Sequence, residues 1–128
     1  MIRVAALRRF GAALAAPNRR VLAMQADGSG MFTLQGLWTQ ARERLDVTTI
    51  VLSNRKYAIL VDELANVGAQ SGRTALDMFS LSDPDLDWCK LAAGMGVEGA
   101  RAESCEALAD LLRNSLLRPG PFLIELNV

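Results

Sequence analysis

A short polar motif, Asp27 followed by Gly28 and Ser29, comes directly after an apolar run, and Asn54 follows the next such run 27 positions later. Magnesium prefers hard oxygen ligands and keeps phosphate oxygens and water among them, so a protein needs to add only a carboxylate and an amide oxygen. Backbone amides at the start of a helix favour a diphosphate, and a glycine there lets the backbone approach it closely. Each residue alone also fits a tight turn or a helix N-cap. The spacing between the two motifs favours a site that binds a magnesium ion together with a diphosphate.

The surrounding pattern predicts that both polar groups lie at the carboxyl ends of neighbouring strands. Buried strands are predicted at 20–25, 47–52, 97–101 and 122–126, and amphipathic helices near 34–45, 83–94 and 104–115. The segment 54–82 has a looser pattern and is interpreted as a long, partly mobile loop with a possible short helix at 62–67. Alternating strands and helices predict an α/β fold, a three-layer α/β/α arrangement with a mostly parallel sheet. Ligands of such sheets bind beyond the carboxyl ends of the strands.

The first 19 residues are interpreted as a separate helical segment, and residues 20–128 as the main domain. One face of this helix would carry Val4, Leu7, Gly11 and Leu14 and could dock on the domain. The first 26 residues also contain five arginines and no acidic residue, a bias that organellar transit peptides share. The sequence is compatible both with a helix that docks on the domain and with a transit peptide.

The composition excludes several functional classes. The chain has 128 residues, enough for one domain, and its 14 basic and 14 acidic side chains cancel, so neither nucleic acid nor an anionic membrane is expected as a partner. The absence of histidine excludes histidine-based nucleophile activation and histidine-ligated zinc. No apolar run approaches the ~20 residues of a membrane span, and we expect a cytoplasmic protein. Cys89 and Cys105 lack metal-ligand spacing and are expected as free thiols.

The residues at both polar motifs resemble the cofactor signature of thiamine diphosphate-dependent enzymes. That signature begins Gly-Asp-Gly and ends Asn-Asn, and this chain has Ala26-Asp27-Gly28 and Ser53-Asn54 at the matching positions. The segments 57–60, 85–88 and 119–125 resemble more specifically the C-terminal, diphosphate-binding domain of the acetolactate synthase and benzoylformate decarboxylase branch. The resemblance implies a partial thiamine diphosphate-binding fold and, for the family, decarboxylation or carboligation of 2-keto acids.

The same resemblance implies which residues hold the cofactor. The magnesium ligands would be Asp27, Asn54 and the main-chain carbonyl of Lys56. The residues that bind thiamine diphosphate would be Gly28, Ser29, Asn54 and Tyr57.

The chain also departs from the family pattern. Ala26 replaces the first glycine of the signature, which an ordinary backbone angle tolerates. Residues 1–10 do not resemble the glycine-rich entrance that bends the cofactor in the family. The pyrimidine-binding domain has no counterpart, and Glu63 is better explained as a solvated loop carboxylate than as a substitute for that domain's activating glutamate. We therefore assign no catalytic residue.

These departures predict a truncated or split chain that is inactive alone. A separately encoded pyrimidine-binding domain would complete its active site, and the apolar surface left exposed predicts a homo-oligomer. The alternative is a non-catalytic α/β interaction protein that keeps the fold and has lost the cofactor. An unrelated nucleotide-binding module lacks support, because no glycine-rich phosphate loop ending in Lys-Ser or Lys-Thr is present.

Overall fold

The computed structural model describes residues 5–69 and 72–128. The strands of this part of the chain are β1 (Val21–Ala26), β2 (Val47–Ser53), β3 (Glu98–Ala102) and β4 (Phe122–Asn127). The helices are α1 (Ala5–Ala15), α2 (Asp27–Met31), α3 (Gly36–Arg42), α4 (Ala58–Asn66), α5 (Arg73–Met78), α6 (Trp88–Gly94) and α7 (Cys105–Leu116).

The four strands form one parallel sheet in the order β1-β2-β4-β3. The central pair is formed by β2 and β4, and all residues of β2 except Leu52 are buried. A parallel strand covered on both faces needs apolar, β-branched residues throughout, which explains why β2 has no polar–apolar alternation. The predicted strands and the parallel α/β architecture are confirmed.

Helices cover both faces of the sheet and create the three layers. Under α7 lies one apolar cluster, made of Ile50, Ala102, Phe122 and Ile124. On the opposite face, Val51 and Leu123 of the sheet pack with Val97 and with Leu37, Trp88 and Ala92 from α3 and α6. Residues of opposite parity in each strand supply the two clusters, because successive side chains of a strand point to opposite faces.

The N-terminal helix α1 docks on the sheet, but with a different face from the predicted one. Ala13 is buried in a cluster with Leu45 and Val47, whereas Gly11 and Leu14 are exposed. Arg9 is buried as well. A small residue at position 13 lets the helix approach the sheet closely, and this rotates Leu14 toward solvent. Val4 lies outside the described residues, and the side chain of Leu7 is not described.

The segment after β2 is more helical than predicted. Apart from residues 70 and 71, which lie outside the described part, much of the interval 54–82 folds into α4 and α5 rather than into a long loop. Neither helix has a buried residue, so their sequences carry no strong periodic burial signal.

Two other helix predictions were wrong in their boundaries. The predicted helix at 34–45 is shorter, since α3 spans Gly36–Arg42 and the short helix α2 precedes it. The helix predicted from Asp83 begins instead at Trp88, because the Asp87 side chain accepts a hydrogen bond from Lys90 N and caps α6.

The cysteine prediction is confirmed, because Cys89 and Cys105 are free thiols. Among the described residues, no helix combines the length and the apolar character that crossing a bilayer would require.

Candidate functional site

Asp27 lies at the junction of β1 and α2, at the carboxyl edge of the sheet, and is 1% exposed. Its carboxylate accepts one hydrogen bond from Gly28 N at 2.7 Å and another from Arg55 N at 2.6 Å. Arg55 follows Asn54 in the loop after β2, so the second bond joins the two loops. The structure therefore places both polar motifs at the same edge of the sheet, where adjacent parallel strands end together.

The electrostatic environment of Asp27 suits a bound cation. Within the described residues, the carboxylate is bonded to backbone amides, and no lysine or arginine side chain forms a salt bridge with it. A buried carboxylate needs both hydrogen bonds and a compensating positive charge. The amides supply the hydrogen bonds, and a divalent ion would supply the charge.

The loop after β2 has a tight conformation. Asn54 Oδ1 accepts a hydrogen bond from Lys56 N at 3.1 Å, and Arg55 between them has a left-handed φ of 59°. The left-handed residue of this turn is thus Arg55 rather than Asn54. A second segment holds the loop, because Arg55 O accepts from Leu81 N at 2.7 Å and Tyr57 N donates to Phe79 O at 2.8 Å.

The Lys56 carbonyl is free for a ligand as far as the described residues show, because no backbone amide among them donates to it. The Asp27 carboxylate, the Asn54 amide oxygen and this carbonyl are all hard oxygen donors. Magnesium selects such donors, so the chemistry of the set fits the ion.

Gly28 and Tyr57 are in close contact. A Cβ on Gly28 would lie 2.6 Å from Tyr57 Cδ1, so only glycine allows the tyrosine ring to pack on this backbone. Phe32 lies beside the same ring, with the ring centroids 6.3 Å apart. The Ser29 hydroxyl donates to Ala26 O at 2.9 Å. Because α2 has only five residues, its dipole is weak, and it would favour a bound anion less than the start of a long helix does.

A groove of about 480 Å³ adjoins the loop after β2. Its lining includes Asn54 and Lys56 together with Val61, Leu76 and Phe79. The groove therefore has both polar and apolar lining residues, and two of them, Asn54 and Lys56, are residues that the sequence pattern singled out.

A second group of ligand atoms lies away from these loops. Asp87, Cys89 and Glu125 bring ligand atoms to within 4.8 Å of one another. The Arg101 guanidinium contacts Glu125 at 3.0 Å and Asp87 at 3.8 Å and already compensates their charge. Burial raises the pKa of the Cys89 thiol, and the nearby Glu125 carboxylate raises it further. A protonated thiol is a poor metal ligand, so this group is better explained as an ion pair between the partly exposed Arg101 and the buried Glu125.

Comparison with known proteins identifies the family. Residues 9–126 match the family described as "Thiamine pyrophosphate enzyme, C-terminal TPP binding domain", and the chain belongs to that family. The recognition from the polar motifs is thereby confirmed. The boundary predicted between residues 19 and 20 stays a prediction, although the family match begins within the first segment.

Among curated relatives, the chain is 52% identical over 120 residues to the "Putative acetolactate synthase large subunit IlvX" of Mycobacterium tuberculosis. That match covers 92% of this chain and 23% of the relative. The chain is also 36% identical to the benzoylformate decarboxylase of Pseudomonas aeruginosa, covering 90% of this chain and 21% of that protein. The chain thus spans about a fifth of the length of these relatives and corresponds to the thiamine diphosphate-binding C-terminal domain of acetolactate synthase-like enzymes.

Solved structures agree with this assignment. The thiamine diphosphate-dependent 4-hydroxybenzoylformate decarboxylase of Rhodococcus jostii RHA1 superposes with a TM-score of 0.74 at 31% identity, covering 90% of this chain and 21% of that chain. Benzoylformate decarboxylase from Polynucleobacter necessarius has a TM-score of 0.81 at 22% identity, covering 97% of this chain and 22% of that chain, and supports the fold alone.

Proposed function

We propose that this chain binds magnesium and thiamine diphosphate at the joined loops after β1 and β2. The observation that carries the proposal is the buried Asp27 carboxylate, which two backbone amides hold in place and which no side-chain cation compensates within the described residues. Membership of the thiamine pyrophosphate enzyme family supports the identity of the ligand.

Each residue of the proposed site has a distinct role. Asp27, Asn54 and the Lys56 carbonyl would coordinate the magnesium ion. The diphosphate and the adjoining part of the cofactor would contact Gly28, Ser29, Asn54 and Tyr57. Thiamine diphosphate would supply a nucleophilic carbon that adds to the carbonyl of a 2-keto acid. The contribution of this chain is to bind and orient the cofactor, and we assign it no proton-transfer residue.

Isothermal titration calorimetry with thiamine diphosphate and magnesium tests the binding. We expect saturable heat for the wild-type chain that requires both components, and a loss of roughly tenfold or more in affinity for Asp27→Asn. The matched control is Asp46→Asn, because Asp46 also accepts from a backbone amide, Gly120 N at 2.6 Å, but precedes β2 at the amino edge of the sheet. Absence of heat for the folded wild-type chain would favour the alternative, a non-catalytic interaction protein that has lost the cofactor.

We also propose that a separately encoded pyrimidine-binding domain covers the site. Support comes from α4, which directly follows the loop after β2. In this helix the side chains of Ile59 and Leu60 are 70% and 41% exposed. Apolar side chains exposed next to a binding site are typical of a surface that another protein covers. An activity assay for 2-keto acid decarboxylation, with a pyrimidine-binding domain added to this chain, tests the partner. We expect the mixture to be active, and an inactive mixture that forms no complex would contradict the proposal.

Self-association as a homo-oligomer is a related proposal. Leu22 and Met24 are 51% and 64% exposed on the face of β1 that is continuous with the apolar cluster under α7. Analytical ultracentrifugation should detect dimers or larger species, and a monomer at all concentrations would contradict the proposal. The cytoplasmic location stays a prediction from the sequence.

A further inference from the structure

We propose that Arg9 is a positioning residue for residues 27–31, the turn of helix after β1, and that it acts through the Gln25 side chain. The inference rests on the proposed function, because its main readout is affinity for magnesium and thiamine diphosphate. It concerns a residue outside the motifs that indicated the site, on a helix that precedes both loops.

Arg9 is a buried arginine whose hydrogen bonds go to neutral groups. It is 4% exposed, and its Nη2 donates to Gln25 Oε1 at 2.8 Å while Nη1 donates to Thr49 Oγ1 at 3.2 Å. Within the described residues, Nε has no partner and no carboxylate pairs with the guanidinium. Burial lowers the pKa of Arg9 to about 10, so the side chain is still protonated at neutral pH.

A buried cation without a carboxylate is costly, and an apolar side chain would fill the same position on α1 more favourably. What the guanidinium adds is geometry, because its planar donors bond two acceptors on two adjacent strands at fixed angles. Gln25 lies in β1 and Thr49 in the adjacent β2, where their register partners are Val51 and Ala23, so the two acceptors are diagonal neighbours on one face of the sheet. Arg9 therefore determines which way the Gln25 amide faces.

The oriented amide of Gln25 lies next to α2. With Oε1 directed at Arg9, Gln25 Nε2 lies 3.1 Å from the position that a Cβ on Gly30 would take. Gln25 also lies two residues before Asp27 on the same segment. Arg9 thus bonds Gln25, and the Gln25 amide in turn occupies the space next to Gly30, in the turn of helix that also contains Asp27 and Gly28.

Replacing Arg9 should make residues 27–31 more mobile and should leave all of the proposed magnesium ligands in place. Residues that orient metal ligands typically change metal affinity roughly 10- to 100-fold when they are replaced. We expect Arg9→Met to weaken the binding of thiamine diphosphate with magnesium about tenfold, and to weaken inorganic pyrophosphate with magnesium to a similar degree. In the absence of ligand, backbone amides of residues 27–31 should exchange hydrogen faster than in the wild-type chain.

Arg20→Met is the matched control. Arg20 is a partly buried arginine that also donates to a β2 threonine, Thr48, at 3.1 Å. Its other contacts are the Asp46 carboxylate at 3.5 Å and the carbonyls of Arg118 and Gly120, at the amino edge of the sheet and away from α2. This variant should lose thermal stability while its affinity for the cofactor and the exchange of residues 27–31 stay unchanged. A general loss of stability would instead affect both variants alike.

A double-mutant cycle tests whether Arg9 acts through Gln25. If it does, Gln25→Leu should weaken binding about as much as Arg9→Met, and the double variant should be no weaker than either single variant. Should Arg9→Met fail to fold, Gln25→Glu serves instead, because it keeps an acceptor for Arg9 and removes the amide nitrogen that faces Gly30. That variant should bind the cofactor more weakly, and an unchanged affinity would overturn the inference.

The outcomes separate the two proposals. If the wild-type chain binds the cofactor and Arg9→Met binds it equally well, the positioning role is wrong and the proposed function stands. Additive losses in the double variant would likewise overturn a role through Gln25. If the folded wild-type chain does not bind at all, the proposed function fails, and the positioning role fails with it.

Discussion

Replacing Asp27 with alanine tests the junction of the two loops in the absence of any ligand. The buried carboxylate accepts hydrogen bonds from Gly28 N and Arg55 N at 2.7 and 2.6 Å. Alanine would leave the buried Gly28 amide and the partly buried Arg55 amide without an acceptor, and an unsatisfied buried group costs about 1–3 kcal/mol. Removing a buried charge offsets part of that cost. We therefore expect the free energy of unfolding to fall by about 2–4 kcal/mol.

Urea denaturation followed by circular dichroism measures this loss. The urea m value of a small protein is about 1–3 kcal/mol/M, so the midpoint should fall by roughly 1–2 M with an unchanged slope. Asp27→Asn keeps one acceptor oxygen and leaves one amide facing a donor group. It should therefore lose about half as much stability as Asp27→Ala.

Asp85→Ala is the control for this experiment. The Asp85 carboxylate contacts the Arg55 guanidinium at 3.5 Å, and both side chains are 56% exposed. An exposed ion pair of this kind contributes about 0–1 kcal/mol, so the midpoint should hardly change. Equal midpoints for Asp27→Ala and Asp85→Ala would show that the Asp27 carboxylate does not join the loops, and the reasoning behind the site would be wrong.

Two further predictions concern packing and thiol reactivity. Gly30→Ala should destabilise the chain by about 1–3 kcal/mol, because the added Cβ would lie 2.5 Å from Trp88 Cη2. Gly11→Ala, on an exposed position of α1 with no described atom within 4 Å, should stabilise it by about 0.5–1 kcal/mol. Thermal unfolding distinguishes these opposite signs, and a shift of both variants in the same direction would contradict the packing argument. Iodoacetamide at pH 8 should alkylate the exposed Cys105 faster than Cys89, because the raised pKa of the Cys89 thiol reduces its thiolate fraction. Peptide mass spectrometry measures both rates, and equal rates would contradict the burial of Cys89.

Strands and loop motifs were predictable because their signals are local. A buried parallel strand such as β2 is apolar along its whole length, and the residues that end it, Ser53 and Asn54, interrupt the run visibly. Parallel strands that are neighbours in the sheet end at the same edge, so the meeting of Asp27 with the loop after β2 followed from the order of elements.

The helix α5 was missed, and α4 was predicted only as a possible short helix at 62–67, because neither helix buries a residue. Helix prediction from periodicity depends on an apolar stripe that faces a core, and a helix without a fully buried residue need not have one. The exposed Ile59 and Leu60 instead form an apolar surface beside the loop after β2, which we propose that a partner covers. The pattern of a single sequence does not distinguish such a surface from a buried helix face.

The amino-acid sequence by itself determined the parallel α/β architecture, the family and the two polar motifs, because burial periodicity and motif spacing are properties of short segments. Only the tertiary structure decided that α1 turns Arg9 inward and Leu14 outward, and that Arg9 reaches Gln25 next to α2. The tertiary structure also brings the Arg101 guanidinium to the buried Glu125 carboxylate, whose negative charge it compensates. These contacts join residues separated by 16 and 24 positions, and they depend on how closely helices approach the sheet. That distance is set by the packing of many side chains together, so no single segment encodes it.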